Sequence, residues 1–418
     1  MPNPLSQLGA RVRELAHEVR ELLRWRHFSG RSTDRMNKLK TYEQQLVDLH
    51  DIEDKAEREK KAAALYATIK RECGTPMALE GRAHFFFYGD ASHVMLAGDW
   101  TYWQMAVPFE RVAETKLFQA VIEFPRTARL QYKLVVDGNW ILDPGNTHTS
   151  AEGFGVNSEF WMDEYEDRSF LTPPPGSKTL QRGTITRHSL HSEALHEDRE
   201  FFLFTPHNAP ADPLVEHQLL MVHDGGEAIS IGRFHYILDH LMAAGKLPST
   251  CAIFIPPHNR HTEYALNKNY ERFCAEEVMS KAVEIWKERG VTISQDPQDR
   301  CVTGASLGGL LATQTALDFP KQLGAVIAQS PAYWVTRGAI FRPSALKNAP
   351  DILFVLQTGT VCDARELTRI MYARLRNVGA ETTCLEYVQG HTWGNWRTNL
   401  ADGLLAWQRL KNVVLEHG

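Results

Sequence analysis

From Leu8 to about Cys73 apolar residues recur at helical spacing among charged ones: Leu8, Val12, Leu15, Val19 and Leu22, then Leu39, Tyr42, Leu46 and Leu49. The pattern predicts two or three amphipathic helices, broken at Gly30–Thr33 and closed by Cys73-Gly74-Thr75-Pro76. After Pro76 the period shortens to two. HFFFYG, HVMLAGDW, LFQAVIEF, LQYKLVVDG and NWILD are short runs rich in aromatic and branched residues, set apart by turn signals, which predicts a small β-sandwich. A polar, then proline-rich stretch from Tyr165 to Ser177 reads as a semi-rigid linker. Beyond it, apolar runs such as REFFLFTP, HQLLMVHDGG, CAIFIPP, GAVIAQS, DILFVLQTG and TTCLEYVQG alternate with helical ones such as FHYILDHLMAAGKL and FCAEEVMSKAVEIWKERG. That rhythm predicts an α/β domain with a mostly parallel sheet covered on both faces, whose reactive residues sit at the carboxyl ends of strands. The predicted boundaries are 1–76 (helices), 77–165 (sandwich), 166–182 (linker) and 183–418 (α/β domain).

Composition narrows the classes. The 418 residues are 43% hydrophobic and 23% charged with a net charge of -5, enough chain for two or three domains. Mild acidity offers nothing to a phosphate backbone, so no nucleic-acid partner is expected. MPNPLSQLGARVREL holds no apolar leader and no run is long enough to span a bilayer, so a cytoplasmic protein without membrane contact is expected. Cys73, Cys251, Cys274, Cys301, Cys362 and Cys384 show no C-x-x-C pairing; this argues against a disulfide framework and a structural metal, and no cofactor is expected. His188, His191 and His196 are spaced wrongly for one helix face and read as a surface hairpin. Charges of mixed sign, as in DKAEREKK, solvate an exposed face, which leaves the N-terminal helices a packing or oligomerisation role.

The stretch RCVTGASLGGL, Arg300 to Leu310, joins an apolar run to a helical one through a serine boxed by glycines. In a G-x-S-x-G turn the backbone brings neighbouring elements too close for side chains two before and two after the serine. Ser306 would then stand clear as a nucleophile, with the Leu307 N–H entering an oxyanion hole at the start of the helix. A glycine-rich turn that merely carries a serine looks the same, so its partners decide. The acid should follow the strand DILFVLQTG, where Asp363 comes first and Glu366 one helical turn later. The base should leave the last strand, where LEYVQGHTWGNWR supplies His391. Serine, acid, histidine is the chain order of α/β-hydrolases. Gly225 or Gly226, after HQLLMVHDGG, would give the second oxyanion N–H. Trp334, Trp393 and Trp396 lie just past strand ends and could wall a pocket for aromatic groups, with Arg397 meeting an anionic or catecholate group; alternatively Trp396 and Arg397 only lock the histidine loop.

The ordered blocks HDGG, NRHTEYALNKNYERF, GASLGG, QSPAYW and GHTWGNWR, between about Thr184 and Leu410, resemble the enterochelin esterase and esterase D family, which shares its hydrolase fold with feruloyl and acetylxylan esterases. The resemblance implies an α/β-hydrolase with Ser306 as nucleophile and His391 as base. It also implies that Arg260, Glu263 and Asn269 hold the loop beside the site, Arg260 within reach of the pocket. From Gly81 to about Phe160, GDWTYW, YKLVVDGNWILDP and GFGVNS resemble the immunoglobulin-like early-set sandwich of glycogen- and starch-binding modules. The positions matching that family's sugar site are Trp103, Lys133, Trp140 and Asn157; flat indoles suit the apolar faces of glucose rings and a lysine donates to hydroxyls. Related sandwiches also precede esterase domains as platforms, in which case these tryptophans are core or interdomain residues.

Three functional readings follow. One is a serine carboxylic-ester hydrolase that forms an acyl-enzyme on a siderophore-like ester. The second is an acetyl- or feruloyl-type carbohydrate esterase carried to an α-glucan by the sandwich. The third is a glycan-binding scaffold whose hydrolase has lost activity. The first leads; the set Ser306, Asp363 and His391 speaks against the third, and Trp103, Lys133, Trp140 and Asn157 favour the second more than a plain siderophore enzyme would require. The expected partners are thus a small-molecule ester, an α-glucan and, through the N-terminal helices, a second copy of the chain.

Overall fold

The computed structural model describes residues 34–166, 168, 182–207, 209 and 215–417. The predicted stripe from Leu8 to Leu22 and nearly all of the proline-rich linker lie outside the described residues. The chain divides into two units, Met1–Thr149 with Ser158–Tyr165, and Ser150–Asn157 with Glu166–Gly418.

In the first unit, α1 is seen over residues 34–48 and α2 spans Lys55–Glu72, opened by Asp54, whose carboxylate accepts the Glu57 N–H. The strands are β1 (Met77–Leu79), β2 (Arg82–Tyr88), β3 (Val94–Gly98), β4 (Val107–Pro108), β5 (Glu110–Arg111), β6 (Leu117–Glu123), β7 (Arg129–Val136), β8 (Asn139–Ile141), β9 (Thr149–Glu152) and β10 (Gly155–Trp161), of which residues Ser150–Asn157 of β9 and β10 count with the second unit. They form two sheets, in the orders β1-β2-β6-β5 and β4-β3-β7-β10-β9, with β8 paired to β7. Period-two alternation decides what lies inside. Leu130, Tyr132 and Leu134 of β7 are fully buried, and Tyr132 joins Phe85 and Phe160 in an edge-to-face aromatic core. The helices do not stand apart from the sandwich. Leu39, Tyr42, Leu46 and Leu49, with Ala62, Leu65 and Ile69 of α2, share one apolar core with Met77, Leu79, Phe86 and Leu117. The packing role is therefore filled within the chain, each buried leucine or isoleucine contributing about 1.5–3 kcal/mol relative to exposure.

The second unit is built on β11 (Thr184–Ser192), β12 (Glu197–Thr205), β13 (Glu216–His223), β14 (Thr250–Ile255), β15 (Thr292–Ile293), β16 (Arg300–Ala305), β17 (Ala325–Gln329), β18 (Leu353–Gly359) and β19 (Thr382–Tyr387). Their order is β11-β12-β14-β13-β16-β17-β18-β19, with β15 beside β13. β11 and β12 form an antiparallel hairpin that carries His188 and His191, and from β14 to β19 all neighbours run parallel. Strands β14, β16, β17 and β18 are buried at every residue, which is why they read as unbroken apolar runs. Helices α3 (Gly225–Ser230) and α4 (Phe234–Ala243) follow β13; α5 (Arg260–Tyr264), α6 (Lys268–Arg272) and α7 (Met279–Glu288) follow β14; α8 (Leu307–Asp318), α9 (Arg365–Asn377) and α10 (Trp393–His417) follow β16, β18 and β19. One core lies between the sheet and α7, α8 and α9, the other between the sheet and α4 and α10. Among the described residues no helix is long and apolar enough to cross a membrane.

Candidate active site

Ser306 stands between β16 and α8 with φ 57° and ψ -119°, a left-handed conformation that costs a serine free energy and persists only where surroundings impose it. The imposing contacts are backbone bonds. The Ser306 N–H donates to the Gln329 carbonyl at 2.9 Å, and its own carbonyl accepts from Leu310 at 3.1 Å and Ala332 at 2.9 Å. The flanking glycines are required by space: a Cβ at Gly304 would lie 2.5 Å from the Gly308 carbonyl, one at Gly308 2.9 Å from Asp224 Oδ2, and one at Gly309 3.0 Å from the Gln329 oxygen. This is the close approach that the glycine spacing predicts.

Asp363 and His391, 28 residues apart, come together at the ends of β18 and β19, with His391 Nδ1 2.6 Å from Asp363 Oδ1. The carboxylate is fully buried and the imidazole 31% exposed. Asp363 Oδ2 also accepts from Ser330 Oγ at 2.6 Å and from the Gly359 N–H at 2.5 Å, and Oδ1 from the Ala364 N–H at 2.7 Å. Burial alone would push this carboxyl up, but the bond and charge of His391, with the Ser330 and Ala364 donors, outweigh it and hold the group below the ordinary aspartate range. Glu366 is exposed on α9. The Ser306 hydroxyl makes no hydrogen bond to His391 among the described residues.

Leu307 is the first residue of α8, and Gly225 and Gly226 open α3; first-turn amides have no partner within their own helix. A Cβ at Gly225 would lie 2.4 Å from the Ile255 nitrogen, so this glycine is needed for close packing on β14, whereas Gly226 is exposed and meets only Pro256, at 3.9 Å. Arg260, partly exposed, holds the loop beside the site. Its guanidinium grips Asp224 through Nε–Oδ1 at 2.8 Å and Nη2–Oδ2 at 3.0 Å, and Nη2 also donates to the Ala305 carbonyl at 3.0 Å. It therefore clamps the loop before Gly225 to the serine elbow. Glu263 accepts from both terminal nitrogens of Arg199 and from the His258 and Asn259 amides. Asn269 is exposed; the loop is held instead by Asn267, which caps α6 and donates to the Thr262 carbonyl. His223, beneath this loop, is fully buried with neither ring nitrogen hydrogen-bonded, and burial drives its pKa down to about 3.

The tryptophans separate. Trp334 is 50% exposed with its ring centroid 6.2 Å from that of His391. Trp393 is buried, its indole N–H on Glu227 at 2.9 Å and its backbone N–H on Glu152 at 2.7 Å. Trp396 stands edge-on to His391 at 5.2 Å and donates to Ser330 Oγ at 3.0 Å, and Arg397 donates to the Ile231 carbonyl at 3.3 Å. Trp396 thus packs on the histidine itself, while Arg397 ties α10 to the segment between α3 and α4. Sequence reasoning missed Ser330, although it lies in the block QSPAYW, and missed Glu152 and Glu227, for which no local signal exists.

On the sandwich, Lys133 pairs with Ala97 and Trp140 with Val135. Lys133 and Val135 are two apart on β7, so Lys133 and Trp140 share the face opposite the aromatic core. Trp140 is 45% exposed and Trp103 partly buried, while the tryptophan packed among Phe85, Phe124 and Phe160 is Trp100. Asn157 falls in the second unit. Among the described residues no group of three or more His, Cys, Asp or Glu side chains is placed to hold a metal ion.

Residues 82–158 match the family model of the glycogen recognition site of AMP-activated protein kinase. An iron(III) enterobactin esterase of Dickeya dadantii (strain 3937) is 24% identical over 233 residues, which is 51% of this chain and 52% of that protein, so the match spans about half of either. An uncharacterized protein, YjcH, of Bacillus subtilis (strain 168) is 25% identical over 179 residues, 41% of this chain and 70% of its own length. The crystal structure of ferric enterobactin esterase from Salmonella typhimurium superposes with a TM-score of 0.66 at 19% identity, covering 79% of this chain and 94% of that one, a likeness of fold. Residues 192–407, more than half of the chain, match the model of the putative esterase family, and the protein belongs to that family: it is an esterase of α/β-hydrolase fold that also carries a β-sandwich.

Proposed function

We propose that the protein is a serine carboxylic-ester hydrolase working through Ser306, His391 and Asp363. The observation that carries this is the 2.6 Å contact between His391 Nδ1 and a buried carboxylate. With Nδ1–H directed at Asp363, Nε2 is left as the acceptor for the Ser306 proton. His391 takes that proton as the hydroxyl attacks the ester carbonyl, and the N–H groups of Leu307 and of Gly226 or Gly225 hold the oxyanion. His391 then protonates the leaving alcohol, and water repeats the cycle on the acyl-enzyme to release the acid. The substrate class we favour is a siderophore-like ester, on the strength of the enterobactin-esterase relatives and of Trp334, whose exposed ring beside His391 offers a flat face to a catechol. The test is a comparison of kcat/KM for a ferric tris-catecholate lactone, a short aryl ester and an acetylated sugar. A preference of about a hundredfold or more for the catecholate over the sugar ester is expected, a difference within reach of one well-matched pocket. Equal rates or the reverse order overturn the siderophore reading.

Exposed Trp140 on one face with Lys133, together with the glycogen-recognition match, favours a second reading in which the sandwich carries the esterase to an α-glucan. Because the indole is open to solvent, Trp140→Ala should leave Tm little changed. Losing one stacked indole should cost about 1–3 kcal/mol of a modest affinity and abolish retention of the full chain on glycogen. A wild-type chain without retention, or a variant that retains as well as wild type, removes this reading.

A further inference from the structure

The segment Ser150–Asn157 is cut off from the rest of the second unit by Ser158–Tyr165 of the first, yet belongs to it. Its attachment is polar and specific. Glu152 Oε2 accepts the Trp393 backbone N–H at 2.7 Å, while Oε1 accepts from Ser150 Oγ at 3.1 Å. The next residue, Gly153, lies against Glu227, where an added Cβ would come within 3.0 Å of Oε1. Glu227 follows Gly226 and takes the Trp393 indole N–H at 2.9 Å. Two carboxylates, one from this segment and one from the loop expected to supply an oxyanion donor, therefore hold the same tryptophan.

Trp393 is two residues past His391 and is the first residue of α10. Its N–H is an amide that the helix itself cannot satisfy, and a carboxylate there also meets the positive end of the helix dipole. From Trp393 the packing leads back to the reacting groups. Its ring lies edge-on to Trp396 at 5.3 Å, and Trp396 lies edge-on to His391 at 5.2 Å. Trp396 also donates to Ser330, which donates to Asp363.

We propose that Glu152 is a positioning residue for catalysis: by capping α10 at Trp393 it fixes the loop that holds the imidazole of His391 between Asp363 and Ser306. The proposal rests on His391 acting as the general base for Ser306. Glu152 touches no substrate, so its loss acts on turnover and leaves ground-state binding alone. A merely structural glutamate would instead lower the fraction of folded enzyme.

The experiment uses the full chain and p-nitrophenyl butyrate, with active sites titrated by a fluorophosphonate and rates normalised to that titre. Glu152→Ala should lower kcat by about ten- to a hundredfold, the range for a small misplacement of a catalytic group, with KM within about twofold. Glu152→Gln keeps an oxygen that accepts the Trp393 N–H and should recover most of the lost turnover. The proposal is overturned by Glu152→Ala at wild-type normalised kcat, by a change confined to KM, or by Glu152→Gln no better than alanine. Phosphonate labelling separates the two levels: a wild-type chain that is not labelled removes the serine mechanism and this proposal with it. A labelled wild type with an equally fast Glu152→Ala variant removes only the positioning role.

Discussion

Replacing Ser306 by alanine should lower turnover of a short aryl ester by about four to six orders of magnitude while the protein stays folded, because removal of a triad nucleophile leaves only oxyanion binding and proximity. The second half of that expectation comes from local geometry. The left-handed φ of 57° is imposed by the bonds from Ser306 N–H to Gln329 and from Leu310 and Ala332 to the Ser306 carbonyl. Alanine keeps all three and is strained to the same degree as serine. The hydroxyl makes no hydrogen bond among the described residues, so no buried donor or acceptor is orphaned when it goes. Turnover measured with and without a chelator, next to a thermal melt, is the check. A variant that keeps more than about one per cent of wild-type turnover excludes Ser306 as the nucleophile, since a triad serine cannot be spared at that level. Wild-type activity abolished by the chelator would point to metal-assisted hydrolysis instead.

The parts of this molecule that were legible in its sequence are those in which one short stretch carries both the cause and its consequence. Gly304, Ser306 and Gly308 announce a turn in which elements come close, and the 2.5 Å approach of a Cβ at Gly304 to the Gly308 backbone gives the reason no other residue serves at Gly304. Buried parallel strands announce themselves as apolar runs because neither face meets water. The reading failed where the meaning of a side chain depends on a distant partner. Arg260 looks like a cation waiting for a substrate until Asp224, 36 residues earlier, is seen to bind the Nε–Nη2 edge of its guanidinium. Asn267 and Asn269 cannot be told apart by spacing, since either could cap α6, and only the fold exposes the second. Glu152 was invisible for the same reason, its acceptor role being set by an amide 241 residues away. The amphipathic stripes of α1 and α2 were plain, but what they cover was not: the β1-β2-β6-β5 sheet offers Met77, Leu79 and Phe86 as a partner surface.

Asp363→Asn should lower kcat at neutral pH by about 10⁴-fold while the protein stays folded, as expected when a histidine loses the group that fixes its tautomer. An asparagine placed in the same cage faces the Ser330 hydroxyl, the Gly359 and Ala364 amides and His391 Nδ1, all four supplied as donors to a carboxylate. Only its carbonyl oxygen can accept from them, and if its NH₂ turns towards the imidazole, Nδ1 becomes the acceptor and Nε2 carries the proton. A histidine in that tautomer cannot take the Ser306 proton. Glu366→Gln, on an exposed side chain, should remain within about twofold of wild type, as most surface substitutions do. The carboxyl also leaves a signature in stability. Its folded pKa lies below the ordinary value of 3.8, so its contribution is complete above that value and is lost as pH falls through the depressed one. Wild-type Tm should therefore fall more steeply than that of Asp363→Asn below about pH 4, where an unfolded aspartate begins to bind its proton. Melts across that window and kcat at neutral pH decide the assignment together. If Asp363→Asn keeps turnover within about tenfold while Glu366→Gln loses it, the acid lies one turn further along α9, and if both are tolerated the esterase works with a serine–histidine dyad.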